Sequence, residues 1–425
     1  MTNKAADGES VNVTTCPAGG TRVGTEEAPA TYPFGEPDRL AVDPGYTAAR
    51  EQDGLARVQL PYGKATWLVT RYEDVKSMLG DPRFSREHAV GEDEPRAMPY
   101  VHRSDALTTM DPPRHTRLRR VVARAFSARR IETLRPRTQE MVDDLIAAME
   151  KEGAPADLMP SFALAVSLLV VCELLGVPYE DRERFHEWSA ILASTASAGV
   201  AGESLQKANE DLRVYLAGLI EQRRREPAED LLTVLVEARD TEDRLTEDEM
   251  ISLAWSVLLA GYEITAYQIG NFAYTLLTRP ELAAQIRDRP ETLEAAVEEL
   301  LRHVPLTSAS FYPRVATEDL ELGGTLVRKG EAALPSMMAA NRDATVFADA
   351  DRIDFDRSDE AHLAFSYGIH HCLGAQLARM ELQVVVRALV TRFPDLRLAV
   401  PVEEVPWRKG SILRGPLELR VTWGP

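Results

Sequence analysis

The sequence predicts a mainly α-helical protein with small β-sheets, and three stretches carry that prediction. Apolar residues recur at helical spacing over residues 250–277, and again in the run that follows Cys372. Residues 65–70 are rich in β-forming side chains, and residues 72–79 have a helical pattern that ends before Gly80. Strands and helices therefore share the N-terminal part of the chain. With 425 residues, 44% of them hydrophobic, the chain can form a large core.

The composition excludes several classes of protein. A formal net charge of −18 argues against a nucleic-acid partner and against an anionic membrane surface. Three cysteines provide no disulfide framework. The sequence shows no N-terminal apolar segment and no apolar run of membrane-spanning length. We therefore expect a soluble, cytoplasmic protein that has neither nucleic acid nor membrane as a partner.

Weakly patterned segments alternate with the helices. Residues 1–30 show little apolar periodicity and are predicted to be a disordered tail. Residues 86–108 have no clear period, and irregular segments of this length in a compact domain are usually functional or disordered. Residues 110–120 open a helix with prolines in its first turn, and a helical region continues to Leu175. Residues 189–204 are small and flexible, which is typical of an exposed connector or of a lid.

The long apolar helix begins with a Thr-x-x-Glu capping box formed by Thr246 and Glu249. At 1.5 Å per residue this helix is about 45 Å long, enough to cross the whole molecule. Gly261 costs about 1 kcal/mol relative to alanine in a helix, so we expect a packing or functional reason for it. Glu263 is an acid in the same apolar stretch, and an ordinary ion pair would be its simplest explanation.

Cys372 lies in a glycine-bounded loop directly before a helical run, so the helix is predicted to begin at this residue. A thiolate at a helix N-terminus is stabilised by unpaired N–H groups, which lowers the pKa of the thiol and suits an axial metal ligand. Gly368 and Gly374 leave room for a flat macrocycle near the backbone, and both can adopt a positive φ. The alternative is a buried, inert cysteine. His370 and His371 do not indicate zinc, because no second Cys or His cluster appears.

The pattern Phe365-x-x-Gly368-x-x-x-Cys372-x-Gly374 resembles the haem-binding signature of the cytochrome P-450 family of haem-thiolate monooxygenases. This resemblance implies a single, mostly helical domain over residues 31–425, with haem between the long central helix and the loop and helix that carry the cysteine. Cys372 would be the axial ligand of the haem iron, and the other three motif positions would contact the cofactor.

The middle of the long helix resembles the oxygen-activation motif of the same family and reads Ala260-Gly261-Tyr262-Glu263-Ile264-Thr265. In the family the small Ala-Gly pair lies against the haem, and the acid and the alcohol pass protons. Glu263 matches the acid, but Ile264 stands where the first threonine is usual. Because isoleucine cannot relay a proton, delivery would come from Thr265, from an ordered water chain or from a substrate hydroxyl.

Four side chains match the family's donors to the haem propionates. His115 and Arg119 are four residues apart and share one helix face. A cation and an imidazole N–H can together hold a carboxylate. The resemblance adds Arg314 and His370 as further donors. The alternative for the first pair is surface decoration.

A buried charge pair is expected from Glu299 and Arg302, which match the family's Glu-x-x-Arg motif. The resemblance implies that Arg352 completes this motif. The role of these three residues would be in folding and haem retention rather than in catalysis.

The substrate pocket is assigned by position in the family alone. Residues 86–108 would cover the substrate and residues 189–204 would be the lid. The expected pocket residues are Met98, Thr307, Ser308, Ala309, Ile412 and Leu413. For Ile412 and Leu413 the apolar core is an equal alternative.

A basic patch lies within seventeen residues and consists of Arg114, Arg117, Arg119, Arg120, Arg124, Arg129 and Arg130. A solvated helix face would explain such a run. The matching helix in the family lies on the haem face opposite the substrate, so the patch would also suit a small acidic electron donor.

The resemblance implies haem b (iron protoporphyrin IX) and O2 as cofactors. Electrons would come from NAD(P)H through an external ferredoxin and reductase, since no flavin or iron–sulfur motif occurs in the chain. In detail the sequence is similar to soluble actinobacterial enzymes that tailor macrolides. We expect a monomer that hydroxylates or epoxidises a secondary metabolite such as a macrolide or polyketide. Two alternatives stay open: oxidative C–C or C–N coupling of an aromatic substrate such as a tryptophan-containing cyclic dipeptide, and a haem-based sensor or carrier without turnover.

Overall fold

The computed structural model describes residues 28–98, 101, 104–193, 202–240, 245–358 and 361–424, and these residues form a mainly α-helical fold with small sheets. The helices are α1 (Pro44–Glu51), α2 (Tyr72–Gly80), α3 (Arg114–Ala123), α4 (Ala128–Glu152), α5 (Leu164–Leu175), α6 (Arg182–Ala193), α7 (Gly202–Arg225), α8 (Leu231–Asp240), α9 (Glu247–Thr278), α10 (Pro280–Asp288), α11 (Leu293–His303), α12 (Met337–Ala340) and α13 (Ala375–Arg392). The strands are β1 (Ala30–Thr31), β2 (Ala56–Gln59), β3 (Thr66–Val69), β4 (Phe84–Ser85), β5 (Ala156–Asp157), β6 (Arg314–Ala316), β7 (Leu320–Leu322), β8 (Thr325–Val327), β9 (Ala332–Pro335), β10 (Arg397–Leu398) and β11 (Arg420–Thr422). The predicted fold class is therefore confirmed.

The largest sheet has six strands in the order β1-β2-β3-β9-β6-β4. Its strands come from both ends of the chain, because β3 pairs in parallel with β9, which lies more than 260 residues later. The antiparallel pairing of β6 with β9 places Arg314 opposite Ala333, and that of β4 with β6 places Phe84 opposite Ala316. The sheet thus brings Arg314 and the residue after β4 to one region.

The three-stranded sheet has β11 in its centre. Its neighbours are β10 and β5, and both pairings are antiparallel. Arg420 and Val421 lie opposite Asp157 and Ala156. The Asp157 carboxylate accepts a hydrogen bond from the backbone N–H of Leu419 at 2.8 Å. The last strand of the chain is therefore joined to the segment that precedes α5.

The local predictions near the N-terminus hold. The predicted strand over residues 65–70 is β3, and the predicted helix over residues 72–79 is α2, with two acids in its first turn. Residues 1–27 of the predicted tail lie outside the described residues. Ala30, at the end of the predicted tail, already belongs to β1, which pairs in parallel with β2.

The weakly patterned segments are only partly described. Within residues 86–108, the described part contains a short 3-10 turn, Glu87–Ala89, and otherwise bends and turns; residues 99, 100, 102 and 103 lie outside it. Residues 194–201 of the predicted lid are also outside it, and the flanking residues belong to α6 and α7.

The long helix α9 begins at the predicted capping box. Thr246 accepts a hydrogen bond from the Glu249 N–H, and the Glu249 carboxylate accepts one from the Thr246 N–H. By length and composition α9 could cross a membrane, but half of its most apolar 18-residue stretch is buried inside the protein. It packs on α5, which ends at Gly176 in the left-handed conformation that a glycine favours. Both helices lie in the main hydrophobic core.

Candidate functional site

The cysteine loop is shaped by one backbone hydrogen bond. The Cys372 N–H donates to the Phe365 carbonyl at 2.8 Å and closes the loop around a 3-10 turn, Gly368–His370. Helix α13 begins at Ala375, with Gly374 at its N-cap. The prediction that the helix begins at Cys372 is therefore wrong by three residues, because the loop must close on Phe365 before the first helical turn forms.

Glycine has a different structural role at each of the two glycine positions of this loop. Gly368 has a φ of +71°, and a Cβ there would lie 2.4 Å from the Leu79 carbonyl oxygen, so only glycine fits. Gly374 has an ordinary φ of −84°. A Cβ on Gly374 would come no closer than 4.0 Å to a neighbour, which is Phe126. The expectation of a positive φ holds for Gly368 and is wrong for Gly374, which instead leaves open space beside the cysteine.

The Cys372 side chain is exposed, yet the surrounding protein removes most of its hydration. That desolvation raises the pKa of the thiol, against the lowering effects of the Gly374 N–H and of Arg119 and Arg379. The expected fall in pKa is therefore not found in the protein alone. No group of three or more His, Cys, Asp or Glu side chains within the described ranges could hold a metal ion. A metal at this cysteine would have to bring its other ligands with it.

Basic side chains from four elements converge beside the cysteine loop. His115 lies on α3, and its ring centroid is 4.4 Å from that of His370 in the 3-10 turn. Arg314 begins β6, and Arg86 follows β4. Burial lowers the pKa of His115 to about 4, of Arg314 to about 9 and of Arg86 to about 10. Neighbouring cations contribute to the lowered pKa of His115 and of Arg314.

These buried bases have nitrogen atoms that lack any hydrogen-bond partner. The unpartnered atoms are His115 Nδ1 and Nε2, His370 Nε2, Arg314 Nε and Nη2, and Arg86 Nε. Leaving so many polar groups unpaired inside a protein is costly. A ligand that carries two carboxylates would satisfy them, because charge-assisted N–H to carboxylate bonds are among the strongest. The residues present therefore fit the propionates of haem, with the thiol of Cys372 beside them.

Two members of this group differ from the prediction. Arg119 donates from Nη2 to the His371 carbonyl, so it anchors the cysteine loop as well as facing the site. Arg86 was missed. Its guanidinium lies 4.8 Å over the Tyr312 ring and donates to the Thr108 carbonyl at 2.8 Å. Nothing in the local pattern marks Arg86, since its partners are more than twenty residues away in sequence.

The segment 260–265, which resembles the oxygen-activation motif, presents two of its side chains on one open face of α9. Ala260 and Ile264 are both exposed, although they lie in the middle of a core helix, and Ile264 is 38% exposed. They are four residues apart and so share a face. Thr265 is buried, and it lies about 100° further around the helix than Ile264. Gly261 packs on α5, since a Cβ would lie 3.1 Å from Val171 Cγ2. Close packing of α9 on α5 therefore explains the glycine at position 261.

Glu263 forms an ion pair, as the simpler explanation expected. Its Oε2 lies 3.8 Å from Nη1 of Arg408, which comes from the C-terminal part of the chain rather than from α9. Burial raises the pKa of the Glu263 carboxyl, and Arg408 partly offsets this.

The Glu299 and Arg302 pair is buried as predicted. Arg302 Nε and Nη2 donate to the two carboxylate oxygens of Glu299 at 2.7 and 2.8 Å. The prediction for Arg352 is wrong: its side chain is 70% exposed, and only its backbone carbonyl meets Arg302. Arg357 completes the network instead, with Nε 3.2 Å from Glu299 Oε1. The chain turns between these two arginines, so their distance along the sequence does not tell which one points inward.

The predicted pocket residues fall into two groups. Thr307 and Leu413 form an antiparallel bridge, and the Ser308 N–H donates to the Ile412 carbonyl at 2.8 Å, so these two segments lie side by side. Leu413 also packs against the main core. Ala309 is buried in the small cluster beside the first sheet. Met98 is buried as well.

The basic patch is partly engaged within the protein. Arg114 and Arg117 both face Glu249, and Arg117 Nη1 is 3.0 Å from its Oε2. Arg120, Arg124 and Arg129 are exposed. The surface available to a partner is therefore smaller than the sequence suggests, and it lies on α3 and at the start of α4.

Comparison with known proteins gives consistent results. The family model described as cytochrome P-450 matches residues 55–398. Nocardicin C N-oxygenase from Nocardia uniformis subsp. tsuyamanensis is 51% identical over 394 residues, which cover 92% of this chain and 98% of that protein. Mycinamicin IV hydroxylase/epoxidase from Micromonospora griseorubida is 49% identical over 399 residues, which cover 94% of this chain and 100% of that protein. A solved structure of the mixed-function P-450 MycG aligns with a TM-score of 0.88 and 49% identity, over 93% of this chain and 100% of that one.

Proposed function

This chain belongs to the cytochrome P-450 family of monooxygenases, and from that premise we propose that it hydroxylates or epoxidises a secondary metabolite of the macrolide or polyketide class. The observation that carries the proposal is the similarity, over nearly the whole chain, to a macrolide hydroxylase/epoxidase and to an antibiotic N-oxygenase. The family uses haem, O2 and electrons from a redox partner to oxidise small molecules.

The cofactor would be haem b, held between the cysteine loop and α9. Cys372 would hold the haem iron through its sulfur, and His115, Arg314 and His370 would bind the propionates. Their unpartnered nitrogens support this assignment. Arg119 would contribute a charge and hold the loop through the His371 carbonyl. When bound, the haem supplies the activation of O2 and the oxidising power.

The protein's own part is placement and proton handling. Ala260 and Ile264 give the exposed face of α9 a small and an apolar surface, which would position an apolar part of the substrate and exclude water. Glu263 is the acid nearest to this face in sequence, and its carboxylate oxygens can take up and release a proton. Because Thr265 is buried away from the exposed face, a water chain or a substrate hydroxyl is the better relay between Glu263 and the site.

Electrons would come from NAD(P)H through a reductase and a ferredoxin. The exposed arginines Arg120, Arg124 and Arg129 supply a basic surface on α3 and α4 that suits a small acidic protein. We propose a monomeric, cytoplasmic enzyme, with no nucleic acid or membrane as a partner.

A second candidate is oxidative coupling of an aromatic substrate, such as a tryptophan-containing cyclic dipeptide. The observation that favours it is Ile264 on the exposed face of α9, where an alcohol would otherwise be available to deliver protons. In that reaction a substrate radical would join a second ring before oxygen is transferred to it. A sensor or carrier without turnover would need neither the acid nor the basic surface.

The deciding experiment is product mass after incubation with a surrogate ferredoxin and reductase, with macrolides and aromatic cyclic dipeptides as substrates. The Cys372→Ala variant is the blank. A cysteine-dependent product that is heavier by one oxygen supports the proposal. A product that joins two substrate units with loss of hydrogens makes this a coupling enzyme. Haem binding without product from any substrate in the panel would overturn the tailoring proposal and favour the sensor.

A further inference from the structure

The C-terminal loop, residues 406–417, lies along one face of α9. The rings of Trp407 and Tyr274 meet edge to face, with centroids 4.9 Å apart. Asn271 is fully buried and donates from Nδ2 to the Arg414 carbonyl at 3.1 Å. Two separate contacts therefore fix this loop to the second half of α9.

A third contact lies one turn earlier on the same face. A Cβ on Gly415 would lie 2.3 Å from Cδ1 of Tyr267, so the loop can pass the tyrosine ring only with glycine here. The Arg408 N–H donates to the Gly415 carbonyl at 3.0 Å and closes the loop on itself. The Arg408 guanidinium then lies 4.6 Å over the Tyr267 ring, in the geometry of a cation–π contact.

The guanidinium reaches Glu263, which is one turn before Tyr267. Arg408 Nη1 and Glu263 Oε2 are 3.8 Å apart, and both side chains are largely buried, with exposed fractions of 10% and 16%. This distance is too long for a hydrogen bond, and Arg408 Nη1 has no other partner. The contact is therefore electrostatic. Arg408 stabilises the negative charge of the Glu263 carboxylate and leaves the carboxylate oxygens free to exchange a proton.

Among the described residues, Tyr262 and Tyr267 on the same helix are the other titratable groups that interact with Glu263. Burial raises the pKa of both phenols, so both are neutral at neutral pH. Burial also raises the pKa of Glu263, and the one cation that opposes this is Arg408. No other charge within the described residues is a cause of the Glu263 shift.

Building on the proposed role of Glu263 in proton delivery, we propose that Arg408 is the positioning residue for the Glu263 carboxylate. It keeps the acid charged on the flank of α9, beside the exposed face that carries Ile264. This matters more than in a site with an alcohol, because Ile264 leaves the acid without a neighbouring relay. The same loop continues to Ser411 and Ile412, whose carbonyls bind Ser308 of the predicted pocket. Arg408 thus connects the pocket wall with the acid.

The test is infrared spectroscopy of the substrate-free holoenzyme, which follows the carboxyl C=O stretch of Glu263 against pH. The Glu263→Gln variant identifies the band. In Arg408→Gln we expect the pKa of Glu263 to rise by about one unit or more, a tenfold change in its proton affinity. Arg408→Lys keeps the charge and should restore most of the wild-type value. Lys409→Gln removes an exposed neighbouring charge and serves as the matched control.

A second readout is peroxide released per NAD(P)H oxidised, which we expect to rise severalfold in Arg408→Gln and not in Lys409→Gln. An unchanged Glu263 band in Arg408→Gln, or an equal shift in Lys409→Gln, would overturn the proposal. The spectroscopic test uses no substrate and no turnover. A failure of the tailoring function, seen as absence of product, is therefore distinguishable from a failure of the Arg408 assignment.

Discussion

His115 and His370 lie with their ring centroids 4.4 Å apart, although 255 residues separate them in the sequence. One ring belongs to α3 and the other to the turn that precedes Cys372. Both nitrogens of His115 and Nε2 of His370 are buried without a hydrogen-bond partner. The two segments thus present their donors to one common ligand, which would join them when it binds.

Arg314→Met should weaken haem retention. Arg314 holds its place through the Leu79 carbonyl at 2.9 Å and leaves Nε and Nη2 for the cofactor. A hydrogen bond to a charged group contributes about 1.5–3 kcal/mol, so we expect haem loss to be about 10- to 100-fold faster. The measurement is haem transfer to excess apomyoglobin, followed by absorbance. Arg83→Met removes an arginine that is exposed on the surface and should leave the transfer rate unchanged.

Arg357→Ala should destabilise the fold, and Arg352→Ala should not. Arg357 contacts the buried Glu299 and donates to the Ala348 carbonyl at 2.7 Å. Its removal leaves a buried carboxylate less compensated, at a cost of about 2–4 kcal/mol in the free energy of unfolding. To the Glu299 network Arg352 contributes only its backbone carbonyl, which alanine retains, and its side chain makes one long, exposed ion pair with Asp354 at 3.9 Å, so the change should stay within about 0.5 kcal/mol. Urea unfolding of both variants checks this. An equal loss of unfolding free energy in the two variants would contradict the assignment of Arg357 to the Glu299 network.

Glu381→Gln should remove a pH dependence of stability. Glu381 is buried between α13 and α5, accepts a hydrogen bond from Ser167 Oγ at 2.7 Å, and has a pKa that burial raises to about 8. The folded protein therefore holds this proton to a higher pH than the unfolded chain does. Stability from this group is complete below the unfolded pKa of about 4.5 and falls as pH rises through about 8, by at most about 1.4 kcal/mol per pH unit. Denaturant unfolding between pH 5 and pH 8 should show this slope in the wild type and a smaller one in the variant. Parallel slopes would show that Glu381 ionises normally.

Alanine substitutions at the two glycines of the cysteine loop should differ. Gly368→Ala forces a left-handed residue and an overlap with the Leu79 carbonyl, at a cost of at least about 1–2 kcal/mol. Gly374→Ala has an ordinary φ, and its nearest neighbour is 4.0 Å away, so the polypeptide itself should tolerate it. The measurements are thermal melting and the haem content of the purified protein. A normal fold with little haem in Gly374→Ala would mark close approach of the cofactor. An unchanged melting temperature of Gly368→Ala would contradict the predicted strain at this position.

Local signals predicted the local features. The Thr246 cap, the helix α2 and the end of the helical region at Leu175 each depend on residues within about one turn of chain, and all three are present. The pairing of Glu299 with Arg302 is also local. The proposed haem donors were identified only because their surroundings resemble a known family.

The features that could not be predicted from the sequence depend on contacts between distant segments. Arg86 becomes a site residue because β4 pairs with β6 and brings it to Arg314. Arg408 meets Glu263 across 145 residues. The pKa of Cys372 was predicted from the helix N-terminus alone, and desolvation by the surrounding protein reverses the direction. Periodicity and capping carry no information on such pairings, because they are set by the packing of the whole chain.

The central position of β11 in the three-stranded sheet bears on biosynthesis. During translation β5 leaves the ribosome early, but its hydrogen-bonding partner consists of residues near position 420. At that point the residues near position 420 have not yet been synthesised. The sheet can therefore close only after β11 has left the ribosome, and the segment before α5 must wait unpaired until then. A chain truncated before Arg420 would leave that segment without its strand partner.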